Sequence, residues 1–380
     1  MKSAKRIACA AVIGGIAAVG LSSGPAQAAK TLKYTSFLPP KQAINVGGAD
    51  RLIEVVEKKT NGSVRFETFY GGSLLGARNT ATGLRDGVAD GGVVAWNYTP
   101  AEFPHIAIAG DLSMLANNGL EMSAAMTEYT LLHCPGCLDD MKKMKLVQLA
   151  TGSNSSYKLL SRTPIRSVED LKGKKMRAAG GAFVRWAGYV GGTAVNVPSS
   201  DIFSGLNTGN LDLAILNVTG MQSYDLWDVV KHITLLDLGT FNTVGVAVLN
   251  ADVWKGLTTA ERQAFIDGAA EGVINMTAVY LAQDNEVLEK ARAQGVNVYQ
   301  PSAELKAQRD AFLDQDLPEV RDIAVKAHKV ADPDPYIQAF RELVKKWTKL
   351  YEGKENDPDA MVALLKKEVY SKVDPATFGM

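Results

Sequence analysis

The chain has 380 residues, of which 46% are hydrophobic and three are cysteines, and 41 Lys and Arg balance 41 Asp and Glu. This length accommodates two or three domains. A net charge of zero argues against nucleic-acid binding, which requires a basic surface to displace counterions from the phosphates. Three cysteines are too few for a scaffold built on disulfides, so the totals indicate an ordinary globular protein.

The first 28 residues have the pattern of a secretory signal peptide. A basic start precedes an apolar run from Ile7 to Leu21, and Ala26 and Ala28 are the small residues that a signal peptidase requires. The run is short and rich in glycine, which favours a cleaved signal over the alternative, a retained membrane anchor. Cleavage after Ala28 would remove three of the 41 bases and no acid, leaving 352 residues with a net charge of −3. We expect this mature protein to be exported, most simply to a bacterial periplasm.

Short strands and helices alternate from residue 32 onward. The pattern predicts strands at 32–36, 64–69 and 91–96, separated by helices at about 43–59 and 77–86. It restarts downstream, with predicted strands at 146–150, 157–161, 175–178, 194–197 and 211–216 and helices at about 183–190 and 199–206. Strands and helices at this spacing form parallel sheets with helices on their faces. Two such patterns predict two α/β lobes, with a binding site at the C-terminal ends of the strands.

Two longer helices are predicted in the C-terminal third. Thr258 and Glu261 form a capping-box pattern that opens a helix running without proline to about residue 293, with Met276 and Tyr280 on its apolar stripe. Globular helices average about 11–12 residues, so we expect this one to span both lobes. A second amphipathic helix at 337–351 carries mixed charges, which favours packing on the core over membrane-surface binding.

The sequence lacks the common enzyme signatures. It contains no Gly-x-Ser-x-Gly elbow, no His-Glu-x-x-His, no phosphate-binding Gly-Lys-Ser/Thr loop and no Gly-x-Gly-x-x-Gly. Its histidines, at positions 105, 133, 232 and 328, have no partners at metal-ligand spacing. The missing motifs weaken the case for an enzyme without excluding one.

The pair Cys134 and Cys137 is the one local sequence pattern that is typical of redox chemistry. Cys-x-x-Cys occurs in thiol–disulfide enzymes, where the first thiolate has a lowered pKa. The c-type haem motif is excluded because His133 precedes the cysteine pair instead of following it. A structural zinc site would need a second pair of soft ligands. The third cysteine, Cys9, cannot contribute because it lies in the predicted signal peptide. An oxidising compartment would join the two cysteines in a structural disulfide. We favour the disulfide, and a periplasmic redox enzyme remains the alternative.

Arg177 lies at the C-terminal end of a predicted strand, just before Gly180 and Gly181. An α/β lobe presents its ligand contacts at this position. A planar guanidinium binds a carboxylate through two hydrogen bonds. The pattern therefore predicts an anion contact, and the alternative is a surface salt bridge.

Several segments, in this order, resemble the DctP-type solute-binding proteins of tripartite ATP-independent periplasmic (TRAP) transporters. They are Thr60–Gly62, Gly71–Gly76, Leu84–Asp90, Pro100–Pro104, Pro164–Gly173, Arg177 and Gly209–Asp212. The resemblance extends over nearly the whole predicted mature chain. It implies a two-lobed α/β fold of the periplasmic-binding-protein (Venus-flytrap) type with a long lobe-spanning helix. The expected division is 29–150 plus 241–275 for lobe I and 151–240 plus 276–380, with the C-terminal helices, for lobe II.

The resemblance also implies site residues. Arg177 would pair with a ligand carboxylate, and Asn217 would orient the ligand. Members that bind sialic acid carry a further arginine where this chain has Tyr157. This tyrosine, like Asn217, can orient a hydroxyl or keto group of the ligand. A subgroup that binds oxo acids has a Glu-Trp pair and a nearby metal where this chain has Ala214-Ile215-Leu216, so we expect no bound metal or other cofactor.

Four aromatic residues are candidates for the pocket wall or, equally, for the core: Trp96, Phe37, Phe183 and Phe241. One fixed cation with aromatic walls suits a monocarboxylate, such as an aromatic or hydroxy or keto acid, at least as well as a C4-dicarboxylate. The expected partners are this small molecule and the small and large integral membrane subunits of a TRAP transporter. A sensory protein that docks on a receptor is a further alternative, and we expect a monomer.

Overall fold

The computed structural model describes residues 29–354 and 357–380. The predicted signal peptide at 1–28 lies outside these ranges. Within them, no helix has both the length and the apolar composition needed to cross a bilayer.

The described ranges contain twelve strands and fourteen α-helices. The first group comprises β1 (Lys30–Thr35), α1 (Asp50–Lys59), β2 (Val64–Phe69), α2 (Thr80–Arg85), β3 (Gly91–Ala95), α3 (Pro104–Gly110), α4 (Gly119–Glu128), α5 (Pro135–Lys143), β4 (Leu146–Gln148) and β5 (Thr151–Gly152). The second comprises β6 (Lys158–Ser161), β7 (Lys175–Arg177), α6 (Gly181–Tyr189), β8 (Thr193–Val195), α7 (Ile202–Asn207), β9 (Leu213–Leu216), α8 (Gly220–Ser223) and β10 (His232–Thr234). The third comprises β11 (Val244–Asn250), α9 (Ala251–Lys255), α10 (Thr259–Ala293), β12 (Asn297–Tyr299), α11 (Ala303–Gln315), α12 (Leu317–Lys326), α13 (Asp334–Tyr351) and α14 (Pro358–Glu368).

The first sheet has the strand order β2-β1-β3-β11-β4, with β5 also paired to β11. Strands β1, β2 and β3 are parallel, as the sequence predicts, whereas β11 runs antiparallel to β3, β4 and β5. Gly92 allows the close approach of β1 and β3, because a Cβ atom there would lie 2.5 Å from the carbonyl oxygen of Thr35. We call the body around this sheet lobe I.

The second sheet has the order β12-β10-β6-β9-β7-β8 and forms lobe II. Strands β7, β8 and β9 are parallel to one another, and β6 is antiparallel to both β9 and β10. Both sheets are therefore mixed, and the expectation of parallel sheets was wrong for part of each. The reason is topological: β6 and β11 each enter a sheet directly from the other lobe, without the helical crossover that makes neighbouring strands parallel.

Two extended crossing segments connect the lobes side by side. Residues 153–157 leave lobe I and residues 235–243 return to it, and the two segments hydrogen-bond to each other. The backbone nitrogen of Tyr157 donates to the Gly239 oxygen at 2.8 Å, and that of Asn154 donates to the Phe241 oxygen at 3.1 Å. This paired ribbon connects the two lobes covalently.

Helix α10 spans both lobes. Its 35 residues begin with the predicted capping box, in which Thr258 and Glu261 each accept a hydrogen bond from the backbone nitrogen of the other. At 1.5 Å per residue the helix is about 52 Å long. The N-terminal half packs closely on lobe I, where Gly272 lies against the backbone of Gly48. Further along, Asp284 accepts a hydrogen bond from the backbone nitrogen of Thr219, at 2.6 Å, just after strand β9 of lobe II.

The C-terminal helices α13 and α14 pack on lobe I rather than on lobe II, to which the sequence analysis assigned them. The indole nitrogen of Trp347 in α13 donates to Glu128 of α4 at 2.7 Å, and Phe340 packs edge-on against Tyr129. In α14, Lys366 pairs with Glu271 in the N-terminal half of α10 at 2.9 Å, and just after α14 the hydroxyl of Tyr370 donates to the Leu149 oxygen at 2.9 Å. Helix α4 is buried on nearly every side, so it needs a covering helix. An apolar stripe in the sequence shows that α13 packs on something but not on which surface.

Candidate functional site

A cavity of about 40 Å³ lies between the lobes. Its walls come from the loop after β1, the end of β3, the crossing segments, lobe II and the middle of α10. The lining residues are Phe37, Leu38, Gln42, Ile44, Ala95, Tyr98, Asn154, Tyr157, Arg177, Ser199, Leu216, Asn217, Tyr224, Phe241, Val244 and Tyr280. Because residues of both lobes enclose it, the structure has the lobes closed.

Arg177 is the charged group of this cavity. It is the last residue of β7, between β8 and β9, and only 2% of it is exposed. Its Nε donates to the Val197 oxygen at 3.2 Å, and one terminal nitrogen donates to the hydroxyl of Tyr98, across the cleft, at 3.4 Å. The other terminal nitrogen is buried without a partner. Among the described residues no Asp or Glu lines the cavity. A buried cation there lacks a counter-charge, which is costly unless an anion binds.

Four tyrosine side chains from different elements line the cavity together with Arg177: Tyr98, Tyr157, Tyr224 and Tyr280. Burial raises the pKa of Tyr157 to about 12, although the nearby positive charge of Arg177 opposes the shift. Burial likewise raises the pKa of Tyr224. The phenols of Tyr157 and Tyr224 therefore stay protonated and can donate hydrogen bonds to an anion.

Three amide side chains and the hydroxyl of Ser199 complete the polar part of the wall. Asn217 donates through its side-chain nitrogen to the Ser155 hydroxyl at 3.3 Å. On the lobe I side, the side-chain nitrogen of Gln42 donates to the Tyr280 hydroxyl at 2.5 Å. The cavity thus combines one cation with neutral donors and acceptors.

Five of the seven residues proposed from the sequence line the cavity together: Arg177, Asn217, Tyr157, Phe37 and Phe241. Phe241 stacks on Tyr157 with a ring separation of 6.3 Å, and Phe37 meets Tyr98 edge-on at 6.2 Å. Their contact with a ligand stays a prediction.

Trp96 and Phe183 do not line the cavity. Trp96 begins a 3₁₀ turn, is 1% exposed and packs on Phe103 at 4.5 Å. Phe183 lies behind Tyr157 at 5.0 Å. Both are core residues in this structure, and Phe183 supports a wall residue from outside.

Sequence reasoning missed several lining residues, of which the aromatic ones are Tyr98, Tyr224 and Tyr280. Tyr98 follows Trp96 by two residues, and the 3₁₀ turn places Tyr98 rather than Trp96 at the cavity. The position after a buried strand was the available signal for Tyr98. Tyr280 was assigned to the apolar stripe of the long helix, and its hydroxyl was the overlooked feature.

Cys134 and Cys137 form a disulfide, with their Cα atoms 5.2 Å apart. Each cysteine is 1% exposed, and neither lines the cavity. The intervening Gly136 is required by packing, since a Cβ atom there would lie 2.3 Å from the ring of His105. The bond therefore lies within the packed start of α5, away from the anion site.

We expect this disulfide to be structural. Ellman's reagent should detect no free thiol in the native mature protein, and an insulin-reduction assay should show no turnover, because both sulfur-bearing residues are buried. Reduction in guanidinium chloride should release the two thiols of Cys134 and Cys137 and serves as the positive control. Catalytic insulin reduction by the native protein would instead support the redox-enzyme alternative.

The sequence matches the family described as bacterial extracellular solute-binding protein, family 7, abbreviated DctP, over residues 36–322. The chain belongs to this family. Among its members, the C4-dicarboxylate-binding periplasmic protein DctP of Rhodobacter capsulatus is 23% identical over 300 residues, covering 77% of this chain and 85% of that protein.

Solved structures of TRAP solute-binding proteins share the fold. One from Rhodoferax ferrireducens, in complex with copurified benzoate, superposes with a TM-score of 0.74 at 23% identity, covering 84% of this chain and 99% of that one. A marine metagenome protein specific for aromatic acid ligands, in complex with 3-hydroxybenzoate, gives a TM-score of 0.74 at 21% identity, with the same coverage of both chains. This DctP-family chain therefore has the two-lobed α/β fold of TRAP solute-binding proteins.

Proposed function

We propose that this protein is the extracytoplasmic receptor of a TRAP transporter and captures a monocarboxylate between its lobes. The observation that carries the proposal is Arg177, a buried cation in the interlobe cavity with one terminal nitrogen unpartnered. A ligand carboxylate would accept from that nitrogen and from the neighbouring phenols. The closed, ligand-bound form would then deliver the carboxylate to the small and large membrane subunits.

The wall chemistry favours one carboxylate over two. Arg177 is the only Lys or Arg among the lining residues, and Arg78, whose guanidinium lies 5.6 Å from the ring centre of Tyr98, is exposed and outside the lining. The aromatic walls support an apolar body, in agreement with the benzoate and 3-hydroxybenzoate found in the structurally similar proteins. A volume of about 40 Å³ holds about three waters. An aromatic ring would therefore require the lobes to close slightly less tightly.

Mass spectrometry of the purified protein is the direct test, because a tightly bound carboxylate copurifies. In parallel, thermal shifts should be measured with benzoate, 3-hydroxybenzoate, pyroglutamate, succinate and malate. Benzamide, which has the same shape as benzoate without its charge, is the matched control. Stabilisation by carboxylates but not by benzamide supports the proposal, and a copurified neutral or cationic compound contradicts it.

A second carboxylate on the ligand should bring no gain in affinity. In calorimetry we expect isophthalate to bind at least about tenfold more weakly than benzoate, because its second charge would be buried without a cation. Succinate or malate binding more tightly than every monocarboxylate in the panel would refute this prediction and assign the site to C4-dicarboxylates.

The remaining parts of the proposal concern the mature protein. We infer cleavage after Ala28, export to the periplasm and a monomer, which N-terminal sequencing, cell fractionation and light scattering after size exclusion would test. Lobe I as a moving body would comprise 29–152, 241–275 and 334–380, and lobe II would comprise most of the rest. No catalytic step is part of this function.

A further inference from the structure

Four charged residues form a cluster where the two lobes meet, outside the Arg177 cavity. They are Asp111 after α3 of lobe I, Arg185 in α6 of lobe II, and Asp316 and His328 on either side of α12. Their side chains are only 6% to 12% exposed. None of the four lines the cavity. We call this cluster the Asp111 clasp.

Asp111 receives contacts from two separate elements. Arg185 donates to its carboxylate oxygen Oδ1 at 3.0 Å and to its main-chain oxygen at 2.6 Å. His328 Nε2 lies 2.7 Å from the other carboxylate oxygen. Both carboxylate oxygens and the main-chain oxygen of Asp111 therefore have partners. Arg185 of lobe II contacts two of these three oxygens.

Arg185 is held in position within lobe II before it reaches across. Its Nε and one terminal nitrogen bind the two carboxylate oxygens of Asp316, both at 2.7 Å. Asp316 follows α11, which packs on α6 through Phe312 and Tyr189 at a ring separation of 5.4 Å. A guanidinium fixed by one carboxylate loses little further freedom when it binds a second. The edge of the guanidinium formed by its two terminal nitrogens then faces Asp111.

Gly181 shows how closely the lobes fit at this point. A Cβ atom on this first residue of α6 would lie 1.7 Å from the Oδ1 of Asp111. The φ angle of Gly181 lies outside the left-handed region, so the backbone itself would tolerate alanine. Glycine is needed at position 181 because Asp111 occupies the space of a Cβ atom when the lobes are closed.

We propose that Asp111 is a positioning residue for ligand capture, which holds the closed lobes together through Arg185 and so sets carboxylate affinity without touching the carboxylate. This inference rests on the proposed function, in which closure accompanies binding. The apparent affinity of such a receptor is reduced by the fraction of molecules able to close. Contacts that exist only between closed lobes therefore contribute directly to affinity.

The first test compares Asp111→Asn with Asp334→Asn in the mature protein. Asp334, the first residue of α13, pairs with Arg321 of α12, and both side chains are about half exposed. The loss of this pair should therefore have little effect. With benzoate and pyroglutamate as probes, we expect Asp111→Asn to bind about tenfold more weakly by calorimetry and Asp334→Asn to match the wild type. Thermal unfolding without ligand checks that both variants are folded.

A ligand-free measurement separates failure of the clasp from failure of the proposed ligand class. Spin labels at Val88→Cys in lobe I and Phe203→Cys in lobe II, both exposed positions, report the distance between the lobes. We expect the short-distance fraction in Asp111→Asn to fall at least twofold below that in Asp334→Asn. Equal fractions in the two variants overturn the clasp. If neither benzoate nor pyroglutamate binds the wild type, the proposed ligand class fails. The comparison of short-distance fractions without ligand still decides whether the clasp holds the lobes together.

Gly181→Ala provides a second variant that changes no charge. Alanine is a better helix former than glycine, so α6 should remain folded, but the methyl group would collide with Asp111 on closure. We expect the short-distance fraction to fall as in Asp111→Asn. The double variant Gly181→Ala with Asp111→Ala should have the same short-distance fraction as Asp111→Ala alone, because the methyl group then has no carboxylate to collide with. Closure unaffected by Gly181→Ala contradicts the proposal.

Discussion

Arg177→Ala is expected to weaken carboxylate binding by a factor on the order of 10² to 10³ or more. Removing one partner of a buried ion pair typically costs about 3–5 kcal/mol, and 1.4 kcal/mol corresponds to tenfold in affinity. The ligand carboxylate would otherwise be buried among tyrosine hydroxyls and amides without a cation. Calorimetry with the carboxylate that most stabilises the wild type measures the loss.

The matched control is Arg78→Ala, which removes an exposed guanidinium near Tyr98 but outside the cavity lining. It should leave affinity within about twofold of the wild type, as expected for an exposed charge. Without ligand, Arg177→Ala should unfold at the same temperature as the wild type or higher, because the substitution removes an uncompensated buried charge. Unchanged affinity in Arg177→Ala would refute the assignment of the anion site.

Trp347→Ala is expected to lower the free energy of unfolding by about 3–5 kcal/mol, the usual cost of removing a fully buried aromatic side chain. Two losses contribute. The substitution leaves a cavity between α13 and α4, and it removes the indole donor from Glu128, which is itself 3% exposed and retains Lys346 as a partner. Denaturant unfolding followed by circular dichroism measures the change.

Trp227→Ala is the control for this variant, because Trp227 is only partly buried and its ring faces Lys290 at 4.5 Å. We expect it to cost less than about 1.5 kcal/mol, since little apolar surface returns to water. Hydrogen exchange should show increased exchange in α4 for Trp347→Ala but not for Trp227→Ala. Equal destabilisation by the two substitutions would contradict the packing of α13 on lobe I.

Local sequence patterns predicted many of the strands and helices, because the formation of such an element depends largely on residues that are close together in the chain. Strand β2 has the predicted bounds, and the capping box at Thr258 starts α10 at the predicted place. Helices α3 and α4 were missed. Helix α4 is buried on nearly all sides, with Ser123, Thr127 and Glu128 among its buried residues, so its apolar residues do not form a single stripe. The direction of β11 and the surface covered by α13 depend on contacts between distant parts of the chain, which periodicity does not encode.

The candidate site was predictable to the extent that its chemistry is unusual. A strand-end arginine before two glycines stands out, and Arg177 lies in the cavity. Aromatic residues do not stand out in this way, because pockets and cores use the same side chains. Whether Trp96 or Tyr98 faced the cavity depended on a 3₁₀ turn after β3. The Asp111 clasp was invisible in the sequence because its members are separated by up to 217 residues.

The packing of α13 and α14 on lobe I has a consequence for folding. Strand β11 and the covering helices of this lobe come from residues beyond 243, whereas β1, β2 and β3 lie before residue 96. Lobe I therefore forms only when distant parts of the chain meet. We expect it to fold more slowly than a domain of similar size built from local contacts, because closing long loops costs entropy before the contacts form.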